Sequence, residues 1–256
     1  MLFIHEFAGD HRSWEAQVRY FSRRYRCITY NARGYPPSDV PEDVKAYSQD
    51  QAVADALTVL EAAGVDHAHV VGLSMGGFCT LHLGLRHPER AKSLVIAGCG
   101  YGADPGGGKE FVAESEANAR AFEADFATAV QAYATGPTRI PLRVKDPRGF
   151  DEFVSRLAEH SPLGSTLTLR GVQMCRPNLY DLREPLARLR LPVMIIAGDT
   201  DEPCLEPDLM LKRTIPSAAL ALLPRTGHAS NLEEPALFNG LIERFLATVE
   251  AGRWPA

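Results

Sequence analysis

Paired cysteines, basic runs and long apolar stretches are all scarce in this chain, and each scarcity removes a class of protein. The five cysteines, Cys27, Cys79, Cys99, Cys175 and Cys204, are scattered and odd in number, with no C-x-x-C pair at metal or redox spacing. They are expected to be buried thiols in a reducing compartment. The start of the chain lacks the basic-then-apolar pattern of a secretory signal, so the expected location is the cytoplasm. No Lys/Arg-rich run is present and the formal net charge is -5, which excludes a nucleic-acid groove or an anionic membrane surface as an expected partner. No apolar run approaches the length of a membrane span, and no internal repeat suggests a solenoid. A small-molecule substrate, neutral or anionic, is left as the expected partner.

What is present is an alternation. With 256 residues and 45% hydrophobic content, the chain can bury a sizeable core in one domain with an insertion. Short apolar runs at Leu2 to His5, Cys27 to Tyr30, His69 to Leu73, Ser93 to Ala97, Val193 to Ala197 and Ala219 to Leu222 read as buried parallel strands of an α/β fold. Between them, Ser13 to Phe21, Ser48 to Ala63, Met75 to Arg86, Glu206 to Thr214 and Pro235 to Val249 carry apolar residues at helical spacing. The alternation breaks between about Gly100 and Pro185. A glycine-rich stretch from Tyr101 to Gly108 leads there into helical patterns near Lys109 to Ala134, Pro147 to His160 and Gly164 to Met174, punctuated by Gly136-Pro137 and Pro141. The expected organisation is a core of residues 1–100 and 186–256 with a helical cap inserted at 101–185.

The segment Gly72-Leu73-Ser74-Met75-Gly76-Gly77 lies between a strand pattern and a helix pattern, the context a G-x-S-x-G turn requires. Such a turn lifts a serine hydroxyl above the carboxyl end of the sheet. Because that hydroxyl is a weak nucleophile, it needs a base within hydrogen-bond reach and a carboxylate to orient the base. Downstream, the strand ending at Gly198 runs into Asp199-Thr200-Asp201, and the strand ending at Leu222 runs into Thr226-Gly227-His228. Of the eight histidines, His228 is the one on a loop after the last strand, so it is the candidate base. Asp201 is the candidate acid, and Asp199 is expected to cap the loop or the next helix. An oxyanion formed at Ser74 needs two backbone N–H donors; Met75 and Phe7, the latter in the loop after the first strand, are the candidates.

At these residues the sequence resembles the α/β-hydrolase family over nearly all of its length. His5-Glu6-Phe7-Ala8-Gly9 is similar to the His-Gly-x-x-Gly oxyanion loop of that family, and Tyr30 to Ser38 to its Asp-x-Arg-Gly-x-Gly-x-Ser segment. The elbow, Gly198 to Asp201 and Gly227-His228 match the remaining motifs in order. The resemblance implies a mostly parallel sheet with helices on both faces, an inserted cap, and hydrolysis of a carboxylic ester or lactone by Ser74, His228 and Asp201 without cofactor or metal. The stretch from Gly227 to Asn239 is similar to enol-lactonases and related carboxylesterases. Carbon–carbon bond hydrolases of ring-cleavage diketones tend to have Asn and an aromatic where Leu73 and Ala229 stand, and rank lower; a non-catalytic ligand receptor is the third class. Among cap residues, Phe111, Phe122, Phe126, Tyr133 and Met174 are candidates for an acyl pocket, with core packing the expected role.

Two departures from the pattern carry expectations. Glu6 replaces the usual glycine of the oxyanion loop. Facing inward it would oppose catalysis, whereas facing a basic or hydroxyl neighbour it would be a structural adaptation, which is the preferred reading. The first two family strands also have no counterpart ahead of Leu2, so the strand at Cys27 to Tyr30 is expected to form a sheet edge. An exposed edge invites pairing with another chain, so the expectation is either that the natural chain begins upstream of Met1 or that altered packing or a second copy, in a homodimer, compensates for the missing strands.

Overall fold

The computed structural model describes residues 1–103 and 108–255, so part of the glycine-rich stretch after Tyr101 lies outside the described residues. Six strands form one sheet: β1 (Leu2–Ile4), β2 (Ile28–Thr29), β3 (Ala68–Leu73), β4 (Ala91–Ala97), β5 (Val193–Gly198) and β6 (Ala218–Leu223). Their order is β2-β1-β3-β4-β5-β6 and every pairing is parallel. The strands therefore fall where the apolar runs placed them, and the two-residue β2 forms an edge.

Strand alternation sorts the core into two layers. Leu2, Ile4, Val70, Leu94, Ile96, Val193 and Ile195 point to one face, where α2 (Gln49–Ala62), α3 (Met75–Arg86) and α10 (Glu202–Thr214) cover them. Phe3, Val71, Leu73, Val95, Met194 and Ile196 point to the other, against α1 (Glu15–Phe21) and α12 (Pro235–Glu250), the latter preceded by the short α11 (Ser230–Glu233). Local signals set the helix limits: the Ser48 side chain accepts from the Gln51 N–H to start α2, and Gly64, at φ 64°, follows its end.

Among the described residues, the chain between β4 and β5 holds no strand. Its helices are α4 (Gly108–Ala124), α5 (Phe126–Ala134), α6 (Ile140–Lys145), α7 (Pro147–Ala158), α8 (Pro162–Thr168), continued by a π-helical turn at Leu169–Gln173, and α9 (Arg183–Arg188). Most of them enclose a third apolar cluster that includes Phe122, Val130, Phe150, Phe153 and Leu167 and reaches down to Phe7, Met75 and Ala229 of the sheet loops. A break at Asp125 divides the single helix expected over Lys109 to Ala134, because the Asp125 carboxylate accepts from the Thr128 N–H and caps α5. Two further differences involve proline. Pro141 belongs to the first turn of α6, where its missing N–H costs nothing, and Pro203 does the same for α10. Consequently α10 begins four residues before Glu206 and runs through Pro207.

The thiols only partly match expectation: Cys79, Cys99 and Cys204 are buried, Cys27 is half-buried and Cys175 is exposed. Cys175 lies on the turn after the π-helical segment, outside the apolar layers that would have covered it. No helix among the described residues is long and apolar enough to cross a membrane.

Candidate active site

Ser74 stands between β3 and α3 with φ 54° and ψ -114°, a conformation that non-glycine residues seldom adopt. Two close approaches hold it there. A side-chain carbon on Gly76 would lie 2.0 Å from the Ile4 carbonyl oxygen, and one on Gly72 would lie 2.1 Å from that of Gly76. Only glycine lets α3 start this close to β1 and β3. The Ser74 N–H donates to the Ala97 carbonyl at 2.8 Å, fixing the turn to β4 as well. From Ala68 to Gly84, every residue except Ser74 is buried.

The opening beside Ser74 is a cavity of about 480 Å³ between the sheet and the helical segment. Ser74, Asp201 and His228 line it from the sheet side, and Phe111, Tyr133, Arg139, Gln173 and Arg176 from the helices. His228 Nδ1 lies 2.7 Å from Asp201 Oδ2. Burial pulls the Asp201 carboxyl up, but the charge and hydrogen bond of His228 outweigh it and hold the group below its ordinary range. With Nδ1 committed to the carboxylate, His228 keeps Nε2 for a second partner. The Asp201, Cys204 and His228 ligand atoms lie within 4.8 Å of one another. That grouping consists of the acid, its histidine and a thiol that burial pushes far above the thiol range.

Asp199 takes a different role: its Oδ1 accepts from the Thr226 N–H at 3.2 Å, so it caps the histidine loop and not a helix. Gly198 makes this junction possible, since a side chain there would meet the Thr226 and Gly227 carbonyl oxygens at 2.1 and 2.4 Å.

Phe7 and Met75 bring the two candidate donors. Among the described residues, neither N–H has a protein acceptor. The Phe7 peptide is held from both sides: the Tyr35 hydroxyl donates to its carbonyl at 2.9 Å, and His5 locks the residue before it. His5 Nδ1 lies 2.7 Å from the Glu6 carbonyl while the Ala32 N–H reaches its Nε2 at 2.9 Å, which assigns the proton to Nδ1. Burial lowers the His5 pKa, consistent with a neutral ring.

Glu6 faces a cation. Its Oε1 accepts from Arg139 Nη1 at 2.8 Å and its Oε2 from Nη2, and both side chains are buried. Burial works against the charged form of Glu6, but Arg139 wins and lowers its pKa. Arg139 also lies over the Phe153 ring, 5.1 Å from its centroid. Next to it, the Thr138 carbonyl accepts from the His228 N–H at 3.2 Å, and Lys145 on α6 bonds Thr226 at 3.1 Å and Glu234 at 2.6 Å. One turn of the helical segment thus clamps both the oxyanion-loop candidate and the histidine loop.

Of the residues the motifs single out, Ser74, His228 and Asp201 line one cavity, whereas Phe7 and Met75 belong with Ala229 to the apolar cluster and are not among the lining residues. Motif reading missed Arg139 and Arg176; the carboxylate at Glu6, in a loop that should be buried, was the one signal that a cation had to be nearby. Of the five acyl-pocket candidates, Phe111 and Tyr133 line the cavity. Phe122 is buried against Phe126 and Tyr133, and Met174 is not among the lining residues.

Known proteins are similar to this chain in sequence and fold. A family model described as alpha/beta hydrolase fold matches residues 1–235. The chain is 26% identical to 3-oxoadipate enol-lactonase 1 of Acinetobacter baylyi, over 98% of this chain and 89% of that protein. It is 29% identical to a protein named putative carbamate hydrolase RutD of Azorhizobium caulinodans, over 93% of this chain and 87% of the other. Among solved structures, MenH from S. aureus superposes with a TM-score of 0.88 at 20% identity, covering 97% of this chain and 93% of that one, a likeness of fold.

Proposed function

The chain belongs to the alpha/beta hydrolase fold family, and from that premise we propose that it hydrolyses a carboxylic ester or lactone of a small molecule through an acyl-enzyme on Ser74. The observation that carries the reading is the strained, cavity-facing Ser74 sharing one cavity with a histidine whose far nitrogen is tied to a buried carboxylate. His228 Nε2 takes the serine proton as Oγ attacks the carbonyl, and the Phe7 and Met75 N–H groups receive the developing oxyanion. The protonated imidazole then gives its proton to the leaving alcohol. Water, activated by the same nitrogen, splits the acyl-enzyme and restores Ser74. Asp201 holds the ring in the Nδ1–H tautomer and stabilises its cation. The helices between β4 and β5 act as a cap that closes the acyl side. Enol-lactonases among the relatives favour this substrate class, and an odd set of unpaired thiols fits a reducing cytoplasm.

The test is direct. A fluorophosphonate probe should label wild-type protein at Ser74, and 4-nitrophenyl butyrate should be turned over. Ser74→Ala and His228→Ala should each lower kcat/KM by about 10³-fold or more. Unchanged turnover in Ser74→Ala, or folded wild-type protein that the probe leaves unlabelled, would sink the reading.

A further inference from the structure

Two arginines line the cavity, and they differ in one respect. Arg139 is neutralised by Glu6. Among the described residues, Arg176 forms no ion pair within 4.0 Å of any carboxylate, and the nearby Cys99, Cys204 and Tyr133 are kept neutral by burial. Its guanidinium is sandwiched between the Phe78 and Phe111 rings, 3.8 and 4.6 Å from their centroids. Nη2 donates to the Tyr101 carbonyl at 2.6 Å and Nη1 to Gln173 Oε1. A guanidinium has five N–H donors, so these two acceptors leave others unmatched on a residue that lines the cavity. Desolvation lowers its pKa to about 10, which still leaves a full positive charge at neutral pH.

A half-buried cation held by aromatic faces, with donors to spare and no counter-charge, lacks what buried charges ordinarily have. We infer that Arg176 is a specificity-determining residue that receives a carboxylate of the substrate, so that the molecule hydrolysed is an ester or lactone carrying a second, free carboxylate. The surroundings favour a single negative charge over a phosphate dianion. Glu114, Asp201 and Glu202 line the same cavity, Glu114 being tied to the Tyr101 hydroxyl, and would repel a more highly charged group. Phe78, whose ring carries the guanidinium, follows Ser74 by one helical turn and its N–H bonds the Ser74 carbonyl at 2.9 Å, so the cation and the nucleophile both belong to the start of α3.

The identity of the substrate class rests on the hydrolase reading, but the anion site can be measured apart from it. Monomethyl adipate and methyl hexanoate serve as the anionic and neutral probes. In wild-type protein, kcat/KM should favour monomethyl adipate by about tenfold or more. Arg176→Met, which keeps length and contact with both rings, should lower the anionic-to-neutral ratio about tenfold or more and so abolish the preference, chiefly through KM. Arg176→Lys keeps the charge without the planar fork and should fall between the two. Fluorophosphonate labelling of each variant reports that the elbow is intact. Separately, calorimetric titration of Ser74→Ala should show tighter binding of monomethyl adipate than of methyl hexanoate, with the preference lost in Ser74→Ala/Arg176→Met. If neither ester is turned over while that preference is present, the hydrolase reading fails and the anion site stands. If Arg176→Met lowers both esters equally, or leaves the preference of Ser74→Ala in place, Arg176 is a packing residue and the proposal is overturned.

Discussion

Glu6 and Arg139 form a buried ion pair beneath the proposed oxyanion loop, and such a pair is asymmetric in its energetics. Removing one partner strands the other charge without solvent, at about 3–5 kcal/mol, whereas removing both costs far less. Glu6→Gln and Arg139→Met should therefore each lower the unfolding free energy by about that amount in urea titrations, and the double variant should lose much less than the sum of the two. Additive losses would mean that the two side chains act independently. The pair also shows where sequence reading stops. Ser74, Asp201 and His228 are legible because each follows a strand pattern and a glycine within a few residues, so local spacing carries the information. Arg139 lies 133 residues from Glu6, and nothing in its own neighbourhood, Gly136-Pro137-Thr138, distinguishes it from a surface arginine. Arg176 is hidden for the same reason, since its partners Phe78 and Tyr101 belong to other elements.

At the level of elements, the strands and the start of α3 were legible because period-two burial and the G-x-S-x-G turn are local patterns. Besides the break at Asp125, the missed boundaries are those where proline belongs to a first turn, in α6 and α10; in α10 a side chain on Gly100 would lie 2.2 Å from Pro207 Cβ, so this proline is accommodated in mid-helix by a glycine opposite it. The elbow makes the strongest demand of any element. Gly76→Ala places a methyl group 2.0 Å from the Ile4 carbonyl oxygen, backbone that cannot yield without moving β1. Stability should fall by about 3 kcal/mol or more, and fluorophosphonate labelling should slow because Phe7 is carried on the same strand end. Gly240 on the exposed side of α12 provides the opposite case, with nothing within 4 Å of an added carbon. Gly240→Ala should raise stability by about 0.5–1 kcal/mol through helix propensity alone. Thermal unfolding of both variants checks the pair, and a Gly76→Ala protein as stable as wild type contradicts the proposed packing.

For the whole molecule, the contacts between the helical segment and the sheet loops make stability depend on protonation in two stages. His160, in the bend just after α7, packs edge-on against Tyr35, 5.0 Å between ring centroids, and Tyr35 in turn bonds the Phe7 carbonyl. Burial lowers the pKa of His160, and of His82 within α3, from 6.5 to about 4. Between those values the unfolded chain takes up protons that the folded one refuses, so stability falls on acidification, by at most about 1.4 kcal/mol per pH unit for each histidine. Glu6 and Asp201 act lower on the scale. Their folded pKa values lie beneath the ordinary 4.5 and 3.8, so the stability they contribute is complete above those values and is lost as pH falls through the depressed ones. Urea titrations across pH should thus show a plateau above about 7, a first decline from 6.5 towards 4, and a second below 4. His160→Phe, which fills the same space against Tyr35 without a titrating group, should make the first decline shallower and spare the second; Glu6→Gln should do the reverse, starting from a lower plateau. If His160→Phe and wild type lose stability with the same slope between pH 6.5 and 4, the buried ring does not stay neutral, and the contact between α7 and Tyr35 opens before the molecule unfolds.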